Sequence, residues 1–202
     1  MKGIAVSSSR GGCGKTSLAH ALALGCGWNN TLAYLCHTDN RDPIKTIDRP
    51  YGYYDCRDTT RLAKLASLAA EKDDGFFIID SGGNRPKFDA WIATSMDLIL
   101  IPVSPDSEDV SEALAHHHRL VDAGAMNIKF VINKYPNAKS RQPLADKILA
   151  LIPEGERLVY LPEVSAIRNL RMTDEEAFKT PPTNVNNLAR KLFRAVRDYD
   201  KK

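Results

Sequence analysis

The chain has 202 residues, 43% of them hydrophobic and 26% charged, with 28 basic and 25 acidic side chains and a net charge of +3. Those proportions exclude a disordered or fibrous chain. The length suits one substantial core rather than two, so a single domain over residues 1–202 is expected. No apolar run approaches the ~20 residues of a spanning helix and no leader is visible. The cysteines Cys13, Cys26, Cys36 and Cys56 lack CxxC spacing, which leaves a cytoplasmic protein with unpaired thiols as the expectation.

In chain order, residues 3–8 (GIAVSS) read as a short strand, followed by a glycine loop and a helix opening at Thr16. Residues 31–37 are a second strand, and residues 40–58, polar and holding Pro43 and Pro50, read as loop or short irregular elements. Helical periodicity through Leu62, Leu65, Ala66 and Ala69 marks residues 60–72. The strongest strand is residues 76–79, ended by Asp80. Helix 87–94, strand 98–103, helix 107–123, strand 128–133, helix 141–151 and a short strand 157–161 follow. An amphipathic helix over residues 184–199 carries Leu188, Leu192, Val196 and Tyr199 on one face. Alternating strand–helix units with near-continuous apolar strands predict an α/β three-layer sandwich with a mostly parallel central sheet. In such sheets ligands sit beyond the carboxyl ends of the strands, and the glycine loop, Asp39, Asp80 and Asn133 all fall just there.

Gly11, Gly12, Cys13, Gly14, Lys15 and Thr16 match the end of a P-loop. Counting back from Gly14 puts Ser9 where the usual pattern has its first glycine. The physics survives that change. Successive backbone N–H groups wrap phosphates, the glycines permit close approach, and the helix N-terminus faces negative charge. Lys15 reaches the β- and γ-phosphates, the Thr16 hydroxyl is placed for Mg²⁺ and Ser17 adds a phosphate contact. Arg10 adds a second cation at the loop entrance, directed at its own nucleotide or outward to one held by a partner subunit.

Asp80 suits a second Mg²⁺ contact through water, or the cap of a helix. Ser81, Gly82 and Gly83 suit a γ-phosphate-sensing turn. Asp39 is placed to orient the attacking water or assist proton removal. Asn133 can contact a base through its amide, and Asn133-Lys134-Tyr135-Pro136 lacks the aspartate of a guanine motif. His116, His117 and His118 sit together in a helix, where neighbouring residues point apart, so they read as a partly exposed segment rather than a metal site.

Residues 9–17 (SRGGCGKTS) resemble the deviant Walker A signature of the ParA/MinD family, (K)GGxGKT(T/S). Asp39, FFIIDSGG at residues 76–83, LILIPVSPDSEDV at 98–110 and VINK at 131–134 agree with it, as does LIPEGERLVYLPEVSAIRNL. The similarity spans residue 1 to about 192 and looks closest to small plasmid or conjugative-element ParA-type proteins. The resemblance implies a SIMIBI-type P-loop ATPase using ATP and Mg²⁺, in which two subunits sandwich two nucleotides. Arg10 stands where the family has its signature lysine, and a guanidinium is longer and forked. Asp39 matches the hydrolytic aspartate, Lys15, Thr16 and Asp80 the phosphate and Mg²⁺ positions, and Asn133 the adenine-side asparagine. The family's DxDPQ reads His37-Thr38-Asp39-Asn40-Arg41 here, which implies weak hydrolysis without partner stimulation.

The resemblance further implies an ATP-dependent homodimer that binds DNA non-specifically, is nucleoid-associated and positions DNA with a ParB-like cargo adaptor. No stretch precedes residue 3 for a helix-turn-helix, so specific operator reading is not expected. The last twenty residues hold six basic side chains (Arg190, Lys191, Arg194, Arg197, Lys201 and Lys202) against Asp198 and Asp200. Of these, Arg190, Lys191, Arg194 and Arg197 are the foremost DNA candidates, with Lys139, Arg141, Arg168 and Arg171 behind them. The alternatives are a MinD-like ATPase on a membrane, the less favoured surface, a metabolic or maturation ATPase, and a scaffold that binds ATP but barely hydrolyses it.

Overall fold

The computed structural model describes residues 1–45, 47–83, 85–171 and 177–199; Asp200, Lys201 and Lys202 of the basic tail lie outside the described residues. Seven strands form one sheet: β1 (Lys2–Val6), β2 (Ala33–His37), β3 (Gly52–Asp55), β4 (Phe76–Asp80), β5 (Leu98–Val103), β6 (Ile128–Tyr135) and β7 (Arg157–Pro162). Their order is β3-β2-β4-β1-β5-β6-β7, and every pairing among the described residues is parallel. The helices are α1 (Lys15–Gly27), α2 (Thr59–Ala70), α3 (Pro86–Ser95), α4 (Ser107–Asp122), α5 (Gln142–Leu149) and α6 (Thr183–Arg197).

The strand periodicity divides the core into two halves. Ile4, Val6, Leu35, Ile78, Leu98 and Leu100 point to one side, under α1 and α6. Ala5, Cys36, Ile79, Ile99 and Ile101 point to the other, where Leu62, Ile92, Val110 and Leu149 of α2 to α5 cover them. Helix α1 is apolar nearly all round because it lies between the sheet and α6. Gly25 makes that packing possible: a Cβ there would lie 2.4 Å from the Ala189 carbonyl oxygen and 2.8 Å from Phe193 Cβ. The apolar stripe of α6, with Leu188, Leu192, Phe193 and Val196, is buried in this half of the core.

The expected elements are present with shifted ends, and one strand was not expected. Residues 40–58, read as loop or short irregular elements, contain the regular strand β3. Its GYYD sequence is too short for periodicity and follows Pro50, and it gains its order by pairing with β2 at the sheet edge. The helix expected over 141–151 divides into a 3-10 turn, Lys139–Arg141, and α5. A further 3-10 turn, Ser165–Arg171, follows β7.

Candidate functional site

The register of the sheet aligns the site. Val6 ends β1 opposite Asp80 of β4, and Asp80 lies opposite His37, the end of β2. The segments leaving these ends therefore meet at one edge of the sheet. They enclose a cleft of about 630 Å³ that Gly11, Gly12, Gly14, Lys15, Thr16, Ser17, Asp39, Gly83 and Asn133 help to line.

The loop after β1 turns through Gly12 (φ 81°) into Gly14 (φ 103°), the residue that caps α1. A side chain at Gly14 would be strained, and its Cβ would lie 2.5 Å from Asn133 Nδ2. No side chain caps α1, so its first amides stay open at the positive end of the helix dipole. Lys15 folds back into its loop and donates from Nζ to the Arg10 carbonyl oxygen at 2.7 Å. From the far side, β6 braces the loop. Asn133 Nδ2 donates to the Cys13 carbonyl at 3.1 Å and Lys134 Nζ to the Gly12 carbonyl at 3.3 Å. Lys134 itself sits at φ 55°, its N–H donating to Asn133 Oδ1 at 3.0 Å. The amide read as base-facing thus also buttresses the phosphate loop.

Arg10 lies against its own chain. Its Nη2 is 3.0 Å from Glu108 Oε2 and its Nε 3.0 Å from Asp109 Oδ1, at the start of α4. Asp106 caps that helix by accepting from the N–H groups of Glu108 and Asp109.

Asp80 is buried, and neither of its carboxylate oxygens has a hydrogen-bond partner among the described residues. His37 Nδ1 stands 3.9 Å from Asp80 Oδ2, an ion-pair distance rather than a hydrogen bond. Burial opposes charging His37, but Asp80, the Arg41 carbonyl and Asp39 together raise its pKa above the ordinary value. Asp80 caps no helix: α3 is preceded by Arg85. Asp39 lines the cleft with Arg41 Nε 3.7 Å from its Oδ2.

Several residues at the site carried no sequence signal. His37 gains its meaning from the register with Asp80, and Arg85 from donating to Thr38 Oγ1 at 3.0 Å. Arg168 and Arg171, grouped with the DNA candidates, are exposed on the turn after β7 and also line the cleft. The three histidines of α4 diverge as helical geometry requires, but His116 is buried rather than partly exposed, with Nε2 2.9 Å from Ser7 Oγ. His117 stacks on Phe130 and His118 is exposed.

No protein-family model matches the chain, and no curated protein matches it. Solved structures do. A plasmid partition protein from Borrelia burgdorferi bound to AMPPNP is 12% identical, with 98% of this chain and 99% of that chain covered and a TM-score of 0.70. The MinD cell division protein of Aquifex aeolicus is 14% identical, with 100% and 98% covered and a TM-score of 0.73. The fold of this chain is the one these structures share. MinD complexed with Mg-ADP from Pyrococcus horikoshii is 15% identical, with 98% and 97% covered and a TM-score of 0.69. Partition and MinD structures match alike, so the likeness is one of fold and does not single out the plasmid-partition branch expected from the sequence. No helix among the described residues is long and apolar enough to cross a membrane.

Proposed function

We propose that the chain is a nucleotide-switched positioning ATPase, which binds ATP with Mg²⁺, closes as a homodimer and hydrolyses ATP under the control of a cargo-bound adaptor. One observation carries this reading. The uncapped N-terminus of α1, with Lys15 folded beside it, shares a sheet edge with the buried carboxylate of Asp80, which accepts no hydrogen bond among the described residues and has only His37 at ion-pair distance. Open amides and an ammonium suit a polyphosphate. A hydroxyl and a carboxylate are hard oxygen ligands, the donor set Mg²⁺ takes with water.

In this reading the amides of residues 11–17 hold the phosphates, and Lys15 leaves the Arg10 carbonyl for the β- and γ-oxygens. Thr16 and Asp80 hold Mg²⁺, which when bound neutralises charge on the phosphates. Asp39 orients a water whose oxygen attacks the γ-phosphorus as the bond to the β–γ bridging oxygen breaks, releasing ADP and phosphate. Asn133 steadies the loop and faces the base. Arg10 acts at the dimer boundary once it leaves Glu108 and Asp109.

The surface to which the dimer binds is DNA. The apolar stripe of α6 lies in the core, which leaves Arg190, Lys191 and Arg194 outward as charge without an exposed apolar face. Such a face suits phosphates rather than insertion into lipid. Arg197 contributes less because Asp198 pairs with it at 2.8 Å. The MinD structures among the neighbours favour a second reading, in which the same cations meet an anionic membrane surface. ATP-dependent binding to duplex DNA and to anionic vesicles, with and without Arg190→Gln, Lys191→Gln and Arg194→Gln together, separates the two. DNA binding that persists unchanged in the triple variant at low and moderate salt rejects the DNA reading. ATP-dependent vesicle binding that the variant loses selects the membrane.

A further inference from the structure

Gly82 and Gly83 separate two cations that have different environments. A Cβ on Gly83 would lie 3.7 Å from Lys15 Nζ. A Cβ on Gly82 would lie 3.2 Å from Arg85 Nε, 3.2 Å from Arg85 Nη2 and 3.2 Å from Asp39 Cα. The Arg85 guanidinium therefore rests on the turn after β4, at the point where that turn meets the Asp39 segment.

Arg85 is held there by neutral contacts. Its carbon Cζ lies 4.3 Å from the centre of the Phe88 ring, and Nη2 donates to Thr38 Oγ1 at 3.0 Å. Thr38, buried and adjacent in sequence to Asp39, donates its hydroxyl to the Asp80 carbonyl oxygen at 2.9 Å. No carboxylate among the described residues lies within ion-pair distance of Arg85, and its buried Nε has no acceptor. Asp89, one turn along α3, acts on Arg85 through space but lies beyond ion-pair distance, so the hydroxyl of Thr38 is the polar group that fixes where the guanidinium stands.

We propose that Arg85 is a positioning residue for hydrolysis, tying the Gly82 and Gly83 turn and the Asp80 carbonyl to the backbone that carries Asp39; this rests on the ATPase reading above. Through Thr38 it fixes where the Asp39 carboxylate stands relative to the phosphate loop. Through Gly82 it makes that position depend on the turn beside Lys15. Arg10, turned away to Glu108 and Asp109, has no part in this arrangement.

The test is steady-state ATP turnover with Mg²⁺ in the full chain, alongside ADP affinity and thermal stability, for the wild type, Arg85→Ala and Arg85→Lys. Misplacing a group at a reacting centre by about 1 Å costs about 100-fold, so kcat should fall by about 10- to 100-fold in Arg85→Ala. KM and ADP affinity should stay within about twofold, since the lost interaction is not one of ground-state binding. Arg85→Lys, which keeps the charge, should recover part of kcat, and added guanidinium should recover part of the alanine variant's. Wild-type turnover beside an equally active Arg85→Ala overturns the Arg85 inference alone. So does a loss of kcat that comes with equal losses of ADP affinity and melting temperature in both variants, which would mark a structural role. A wild type that neither binds nor hydrolyses ATP overturns the ATPase reading together with this one.

Discussion

Lys15 and Arg10 are joined through the backbone of one and parted through the side chain: Lys15 Nζ donates to the Arg10 carbonyl at 2.7 Å, while the Arg10 guanidinium turns outward to Glu108 and Asp109. The loop thus holds its lysine against itself and anchors its entrance to α4. Both arrangements must change if a triphosphate is to enter and a second subunit is to be reached.

The Arg10 anchor predicts a competition. Glu108→Gln with Asp109→Asn should raise the dimer fraction formed with Mg-ATP, because Arg10 is then no longer held in its own chain. Arg10→Ala should lower it. Light scattering after size exclusion, with ATP in an Asp39→Ala background to block turnover, reads the outcome. Equal dimer fractions in all three proteins would remove Arg10 from the interface.

Gly25 predicts a stability loss without a loss of chemistry. A methyl group there meets the Ala189 carbonyl oxygen at 2.4 Å, and backbone cannot yield as a side chain can. Forcing α1 and α6 apart should cost about 1–3 kcal/mol, the usual penalty of overpacking, measured by urea unfolding. A Gly25→Ala variant as stable as the wild type would mean that the helices do not pack this closely.

Acid should destabilise the fold through two of its buried histidines, His20 and His116, whereas His37, raised by Asp80, acts in the opposite sense. Burial, followed by Arg119 and Lys15, pushes His116 down to about 4 from an ordinary 6.5, and burial also pushes His20 well below the ordinary value. The unfolded chain therefore takes up protons below pH 6.5 that the folded chain refuses until about 4. Stability is full above 6.5 and declines between these values as pH falls. The His116 share is on the order of 3 kcal/mol. Unfolding free energies at pH 7.5 and 4.5 should differ, and His116→Gln should reduce the difference. An unchanged pH dependence in His116→Gln would contradict the burial of a neutral imidazole at His116.

Much of this arrangement was legible because it is local. The glycines, Lys15 and Thr16 form one run, and the apolar runs before Asp80 and Asn133 announce strands whose ends must share an edge. Tyr53 and Tyr54 were the available signal for β3, two β-forming aromatics inside a polar stretch, but four residues give no periodicity. Arg85 and His37 were not legible, since each acquires its role from a residue more than forty positions away, Thr38 and Asp80 respectively. Arg168 and Arg171 show the limit of counting charge: a basic residue reads the same in sequence whether it faces solvent on a helix or lines a cleft.

The central claim is that the loop of residues 11–17 grips ATP and that Asp39 turns it over. Phosphate release from Mg-ATP, measured on the wild type, Lys15→Ala and Asp39→Ala, tests it most directly. Lys15→Ala should lose nucleotide binding by about 10- to 100-fold, as expected when charge-assisted hydrogen bonds worth about 1.5–3 kcal/mol are removed. Asp39→Ala should bind ATP as the wild type does and release little phosphate. Equal phosphate release from the wild type and Asp39→Ala, or undiminished ATP binding by Lys15→Ala, would contradict it.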